Sequence, residues 1–310
     1  MAPSDQPVAA IDLGTNTCLL LIAKPGEQGL EPLRQELQVV RLGSGMDLTG
    51  RLSEEAQVRA VEVISGYREI IESYHCGVVR CVGTSAVREA VNSADLQERI
   101  FTASGYALSA IDESEEARLI LKAVHDAFPA SSGRRWVVDV GGGSTEIIAE
   151  ENGALQEVES LELGSVRHSD RWLMTDPPAA GELLALQADI LAHLAELFDR
   201  PTPDQFIGVG GTATTFVAME QKLDAYDHRA VHGATLTARS LEKMLDHCLT
   251  LTLEKRRALP GLHPGRAEVI IAGGAILLAV LQRSGLAEMQ VSDRGLIWGL
   301  AAELAAQSSA

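Results

Sequence analysis

The sequence predicts an α/β layer fold built in two similar halves, and three observations carry that prediction. Short apolar runs alternate along the chain with segments of helical period, the pattern of strands covered by helices. The stretch AIDLGTNTCLLLIA at 10–23 is matched by VVDVGGGSTEIIAE at 137–150, each reading as strand, Asp-x-Gly, polar turn and strand. Glycines also stand where strands end, at Gly141, Gly142 and Gly143 and again at Gly210 and Gly211. Two halves opening on the same hairpin suggest a duplication with a cleft between the copies. The stretch 128–133, FPASSG, is the natural seam.

In chain order, the runs 8–12 and 19–23 are the two strands of the first hairpin. Ser53 ahead of Glu54 and Glu55 is a helix start, and Val58, Val61, Ile64, Tyr67, Ile71 and Tyr74 give that helix a buried face. A strand follows at 78–82, then a short helix from Ser85, a helix at 93–103 stopped by Gly105, a strand at 106–111 and a helix at 114–128. The second half predicts strands at 136–140 and 146–149, a helix at 180–198 and a strand at 206–209 running into Gly210 and Gly211. Helices near 240–248 and 266–282, a strand at 289–291 and a last helix at 294–304 complete the reading.

Composition narrows the function. At 310 residues and 46% hydrophobic, the chain can bury two ordinary cores. Residues 1–7 have neither the basic region nor the apolar core of a secretory signal, and the longest apolar run, 269–281, is too short to cross a bilayer, so a soluble cytoplasmic protein is expected. Cys18, Cys76, Cys81 and Cys248 fall in no metal-ligand spacing and read as small buried hydrophobes. A formal charge of −17 repels nucleic acid and anionic membranes. Any polyanionic partner must be held by a local basic patch or by metal ions.

The glycine turns are where such chemistry can sit. Backbone N–H groups pointing inward make an anion site, so Gly14 with Thr15 and Asn16, and Gly141, Gly142 and Gly143 with Ser144 and Thr145, can each hold a phosphoryl group. Either loop alone also fits a plain tight turn; the matched pair favours the phosphate reading. Asp12, Asp139 and Glu146 stand beside these loops, where bare carboxylates would repel phosphate unless a cation lies between. Mg2+, bound by one or two carboxylates plus phosphate oxygens and water, resolves the conflict. Gly210, Gly211 and Thr212 run from strand into helix and offer further free N–H groups.

In this order the three glycine segments resemble the phosphate-1, phosphate-2 and adenosine segments of the actin, sugar kinase and Hsp70 superfamily. Within it, AIDLGTNT at 10–17, GTSAVREA at 83–90, IDESEEARLI at 111–120, VVDVGGGSTE at 137–146, AVHGATL at 230–236, LPGLHPGRAEVIIAGGAIL at 259–277 and SDRGL at 292–296 resemble the exopolyphosphatase/guanosine pentaphosphate phosphohydrolase (Ppx/GppA) family. The segments are collinear and span nearly the whole chain. The resemblance implies two actin-like, ribonuclease H-like domains, residues 1–128 with 295–310 and residues 129–294.

It also implies Mg2+-dependent hydrolysis of a terminal phosphoanhydride, with Mn2+ able to take the place of Mg2+ and a monovalent cation as a further ion. The family's general base falls on Glu116, its neighbour Glu115 being a surface acid in the first helical turn; Asp139 and Glu146 would hold the metal, with Asp12 beside it. Arg88 matches a phosphate-facing arginine. His232 and Arg266 stand in matched segments and are better substrate contacts than the cations Arg41, Arg167, His168, Arg171 and Arg294. His75, His125, His228 and His247 read as structural or surface residues. Inorganic polyphosphate is the expected substrate and guanosine pentaphosphate the nearest rival; a homodimer is implied as well. A kinase of the wider superfamily and a non-catalytic phosphate sensor or filament stand further off. Two departures stand out: longer family members carry a further helical region, so reduced processivity is expected here, and Ile297 and Trp298 replace a more polar pair.

Overall fold

A computed structural model describes residues 6–27, 29–128, 132–195 and 201–308. Residues 1–5 of the opening segment, the seam residues 129–131 and the end of the helix expected at 180–198 lie outside these. The chain divides into two compact units, one of Met1–Phe128 with Arg294–Ala310 and one of Pro129–Asp293.

Unit 1 opens on strands β1 (Val8–Leu13), β2 (Thr17–Gly26) and β3 (Gly29–Val39), followed by the one-turn helix α1 (Met46–Thr49) and the long helix α2 (Glu54–Ser73). Ser53 caps α2, its side chain accepting from Ala56 N at 3.2 Å. Strand β4 (Val78–Gly83), helices α3 (Ser85–Glu89) and α4 (Ser93–Ser104), strand β5 (Leu108–Ala110) and helix α5 (Glu113–Ala127) complete the unit, with a C-terminal helix, Leu296–Ser308, packed on β1 and α5. Strand order is β3-β2-β1-β4-β5, with β1–β4 and β4–β5 parallel and the two hairpin pairs antiparallel.

Unit 2 repeats the plan. Its elements are β6 (Arg134–Val140), β7 (Thr145–Glu151), β8 (Ala154–Leu161), α6 (Ser165–Trp172), α7 (Ala180–His193), β9 (Gln205–Val209), α8 (Gly210–Glu220), α9 (His228–Val231), β10 (Thr235–Thr237), α10 (Ala238–Leu249), α11 (Leu253–Arg257), α12 (Ile270–Ser284) and β11 (Glu288–Val291). Its sheet runs β10-β11-β9-β6-β7-β8. Read from the third hairpin strand, β8-β7-β6-β9-β11 reproduces β3-β2-β1-β4-β5, with β10 added at the edge. The two units are thus the duplicated α/β fold that the paired hairpins predict, with the strand order of the actin-like plan the resemblance implies.

Several elements differ from expectation. Strands β3 and β8 are absent from the sequence reading because they lie at an edge with mostly exposed side chains, EPLRQELQ and ALQEVES showing little apolar alternation. Helix α2 buries Ala56, Ala60, Ile64, Tyr67 and Ile71, while Val58 is exposed. Val61 is half-buried and packs against the same core. The strand expected at 106–111 shortens to β5, and the helix expected from 266 begins at Ile270 after a 3-10 turn at Pro264–Arg266. All four cysteines are free thiols, three of them buried and Cys76 half-buried. Among the described residues no helix is long and apolar enough to cross a membrane.

Candidate active site

The β1–β2 turn is fixed by its own backbone. Gly14 N donates to Thr17 O at 2.9 Å, and in the β6–β7 turn Gly141 N donates to Ser144 O at 3.0 Å, the same bond in the same place. Each turn is gripped by the segment after the third strand of its hairpin. In unit 1, Gly43 N donates to Thr15 O and Val40 N and Arg41 N donate to Asn16 O, at 2.9–3.0 Å. In unit 2, Ser165 N donates to Gly141 O and Val166 N to Gly142 O, both at 2.9 Å, while Arg167 Nε donates to Gly143 O at 2.9 Å. A second short repeat in the sequence carries the signal for these clamps: Leu42, Gly43 and Ser44 are matched by Leu163, Gly164 and Ser165, with both leucines fully buried. Gly164 is required, because a Cβ there would overlap the backbone of Gly142 and Gly143.

In unit 1 the carboxyl ends of β1, β4 and β5 converge, the position where open α/β sheets bind ligands. Asp12 lies on β1 beside this edge, opposite Leu19 and Val82. Its Oδ1 is buried with no hydrogen-bond partner among the described residues, as is Asn16 Oδ1, and burial pushes the Asp12 carboxyl up to about 7. Thr84 N donates to Leu13 O, and Thr84 O in turn accepts Arg88 N at 3.0 Å. The Arg88 guanidinium donates to Ile111 O at 3.0 Å and to Glu116 Oε2 at 3.2 Å. Thus the GTSAVREA and IDESEEARLI segments meet through Arg88 and Glu116.

Glu115 and Glu116 part as neighbours on a helix must. Helix α5 is capped by Asp112, whose side chain accepts Glu115 N at 2.8 Å. Glu116 is 6% exposed and pairs with Arg88, whereas Glu115 turns away to Arg80 at 2.5 Å.

In unit 2, Asp139 and Glu146 are directly opposite on the β6–β7 ladder, so their side chains leave the same face. Glu146 is buried and accepts from Ser160 Oγ at 3.0 Å. Gly210 has φ +76°, and a Cβ there would strike the Asp139 carboxylate, so only glycine fits the start of α8. Thr212 Oγ1 donates to Val140 O at 2.9 Å, binding this turn to the glycine loop. The Arg266 guanidinium lies over Gly211, where it would overlap a Cβ. Burial pulls the Arg266 pKa down while Tyr226 and Asp139 hold it up. His232 Nδ1 accepts Asp293 N at 3.2 Å, and Asp293 Oδ1 accepts the Tyr226 hydroxyl. Sequence alone does not single out Tyr226 and Asp293, since a lone Tyr in a polar loop has no pattern to mark it.

The expected site residues therefore gather in two groups. Asp12, Gly14, Thr15, Asn16, Arg88 and Glu116 belong to unit 1. Gly141, Gly142, Gly143, Ser144, Thr145, Asp139, Glu146, Gly210, Gly211, Thr212, His232 and Arg266 belong to unit 2. Among the remaining cations, Arg167 and His168 are buried within unit 2, Arg167 Nε donating to Gly143 O and His168 lying against Asp189. Arg171 faces Asp189 at 3.5 Å, and Arg294 stacks 4.5 Å over the ring of the buried Trp298. As for a cation, Asp139 and Glu146 form an oxygen-only donor pair beside a loop of backbone amides, and the Asp12 Oδ1 is an orphaned buried oxygen. Both features fit a hard divalent ion such as Mg2+.

Two glycine turns of equal geometry on duplicated actin-like units, with a buried glutamate at one and paired carboxylates at the other, define a phosphate-handling enzyme class. A family model described as the Ppx/GppA phosphatase family matches residues 21–307. The chain belongs to the Ppx/GppA phosphatase family. It is 34% identical to exopolyphosphatase 2 of Mycobacterium tuberculosis over 96% of this chain and 98% of that protein. The crystal structure of the Aquifex aeolicus Ppx/GppA family member covers 98% of this chain and 99% of its own at 30% identity, with a TM-score of 0.81. That of an exopolyphosphatase from Cytophaga hutchinsonii covers 97% and 98% at 26% identity, with a TM-score of 0.90.

Proposed function

We propose that this phosphatase is an exopolyphosphatase, cleaving the terminal phosphoanhydride of inorganic polyphosphate and releasing orthophosphate. Family membership and a relative of nearly equal length named exopolyphosphatase support the substrate. The observation that carries the mechanism is the separation of Glu115 from Glu116, which leaves Glu116 buried at the carboxyl edge of the sheet beside Arg88.

Glu116 orients a water and accepts its proton as the water oxygen bonds to the terminal phosphorus. The bridging P–O bond breaks in line, and the shortened chain leaves with the electron pair. Arg88 holds the Glu116 carboxylate in place and offers its remaining donors to phosphate oxygens. The backbone amides of Gly14, Thr15 and Asn16 and of the loop at 141–145 bind the phosphoryl oxygens, as do Gly210, Gly211 and Thr212 at the start of α8. His232 and Arg266 contact the chain further along. Asp139 and Glu146 would hold Mg2+, or Mn2+ in its place. When bound, the ion neutralises charge that develops on the phosphate oxygens. A homodimer in the cytoplasm belongs to the same reading.

The test is orthophosphate release in Mg2+ from polyphosphates of several lengths and from guanosine pentaphosphate, for wild type, Glu116→Gln and Glu115→Gln. Glu116→Gln lowers kcat by roughly 10²- to 10⁴-fold while Glu115→Gln stays near wild type. Equal loss in both variants sinks the assignment of the base. A higher kcat/KM on guanosine pentaphosphate than on any polyphosphate moves the substrate to the second reading that the family name allows.

A further inference from the structure

Unit 2 holds a cluster of chemistry-bearing side chains that phosphate hydrolysis does not use. His168 projects from α6, and Asp189 and His193 stand four residues apart on α7, so those two share a helix face. Each of the three offers a ligand atom, and these atoms all lie within 4.8 Å of one another. The His168 ring is wholly buried, and its Nε2 makes no hydrogen bond among the described residues although Asp189 Oδ2 is only 3.2 Å away. It lies close enough to the carboxylate for both atoms to face one shared partner.

Metal coordination accounts for that spacing. Ligand bonds of about 2.0–2.2 Å in tetrahedral geometry put neighbouring ligand atoms about 3.3–3.6 Å apart. His168 Nε2 and Asp189 Oδ2 stand at 3.2 Å, and the His168 and His193 rings meet edge to face with centroids 5.9 Å apart. Both imidazoles have a backbone carbonyl near Nδ1, and His193 Nδ1 also lies 3.6 Å from Asp189 Oδ1. His168 Nδ1 lies 3.2 Å from Gly164 O, with Gly164 N at 3.3 Å, and His193 Nδ1 lies 2.9 Å from Asp189 O. The tautomer in which Nδ1–H donates to that carbonyl leaves the lone pair on Nε2 for a metal. The carboxylate is supported in turn, since Trp172 Nε1 donates to Asp189 Oδ2 at 2.8 Å. Arg171 lies 3.5 Å from the same oxygen, and at 32% exposure its side chain can swing to solvent when a cation takes its place.

We propose that His168, Asp189 and His193 form a binding site for a zinc-class transition metal with three protein ligands. Two imidazoles and one carboxylate select a borderline ion of this kind over Mg2+ or Ca2+, which favour all-oxygen sites. The site joins α6 to α7. Because α6 begins after Gly164, and the amides that follow that glycine hold the phosphate loop, an occupied site braces the clamp on that loop from behind.

The test is calorimetric titration of Zn2+ into the full chain, stripped with EDTA and then held in excess Mg2+ to fill the all-oxygen sites. Wild type takes up one Zn2+ per chain, and its unfolding temperature rises as the site fills. Replacing a ligand in His168→Gln, Asp189→Asn or His193→Gln weakens binding by more than the roughly 10- to 100-fold that loss of an outer partner costs. His193 is partly exposed, so His193→Gln is the deciding variant where the buried His168→Gln fails to fold. Circular dichroism confirms its fold before titration. Absence of saturable Zn2+ binding in wild type overturns the proposal, as does wild-type affinity in His193→Gln.

Discussion

Asp12 shows at one residue how burial and function conflict. Its carboxyl titrates near 7 in the folded chain against 3.8 as a free side chain, because β1 carries it out of water and Oδ1 finds no hydrogen-bond donor among the described residues. The folded value is raised, so the stabilising neutral form is fully present below pH 3.8. Without metal, stability falls by up to about 1.4 kcal/mol per pH unit from there to about 7, where the group has ionised in both states. Asp12→Asn removes this slope, so in EDTA its melting temperature exceeds that of wild type at pH 8 and approaches it at pH 4. Parallel pH profiles for the two proteins contradict the burial argument. The residues of this edge are legible in the sequence because Asp-x-Gly turns announce themselves. The choice between Glu115 and Glu116 rests, in sequence, on resemblance; the local reason for it, Arg80 on one side of α5 and Arg88 on the other, involves residues more than twenty positions away.

At the scale of elements, each glycine loop depends on a clamp that follows the third strand of its hairpin. Gly164→Ala forces a methyl into the backbone of the opposing loop, and overpacking of this kind costs about 1–3 kcal/mol. Urea unfolding measures the loss, and orthophosphate release falls with it because the proposed phosphate-binding amides lie on the same loop. Full activity in Gly164→Ala would show that the clamp does not position the loop. On the same hairpin, Arg135 on β6 and Glu150 on β7 form an ion pair with both side chains almost wholly buried. Glu150→Ala removes the paired carboxylate from a buried guanidinium and destabilises by about 3–5 kcal/mol, read as a lower denaturation midpoint in urea. The strands that complete these hairpins, β3 and β8, are hidden from a sequence reading because an edge strand with two wet faces has no alternation to detect.

For the whole molecule the dominant quantity is charge. With −17 on the chain, approach of a long polyanion is opposed everywhere except at local cations and amides. Raising ionic strength shortens the range of this repulsion, to about 8 Å at physiological salt. At fixed free Mg2+, kcat/KM on long-chain polyphosphate therefore rises as salt increases from low values, while kcat changes little. A monotonic fall in kcat/KM over that range would show that local cations outweigh the net charge.

The sequence by itself determined the duplicated α/β plan, the two Asp-x-Gly turns and the family. All three are written in local patterns: apolar runs, Asp-x-Gly spacing and collinear segments of five to nineteen residues. Tertiary structure alone decided which groups those turns touch. Asp139 meets Gly210 and Arg266 across more than seventy and more than one hundred and twenty positions of chain. His168, a candidate polyanion contact in the sequence, is buried against Asp189 because α6 packs beside α7. Such contacts are set by how strands and helices stack, and a side chain's partners across that stacking leave no periodic trace in its own neighbourhood.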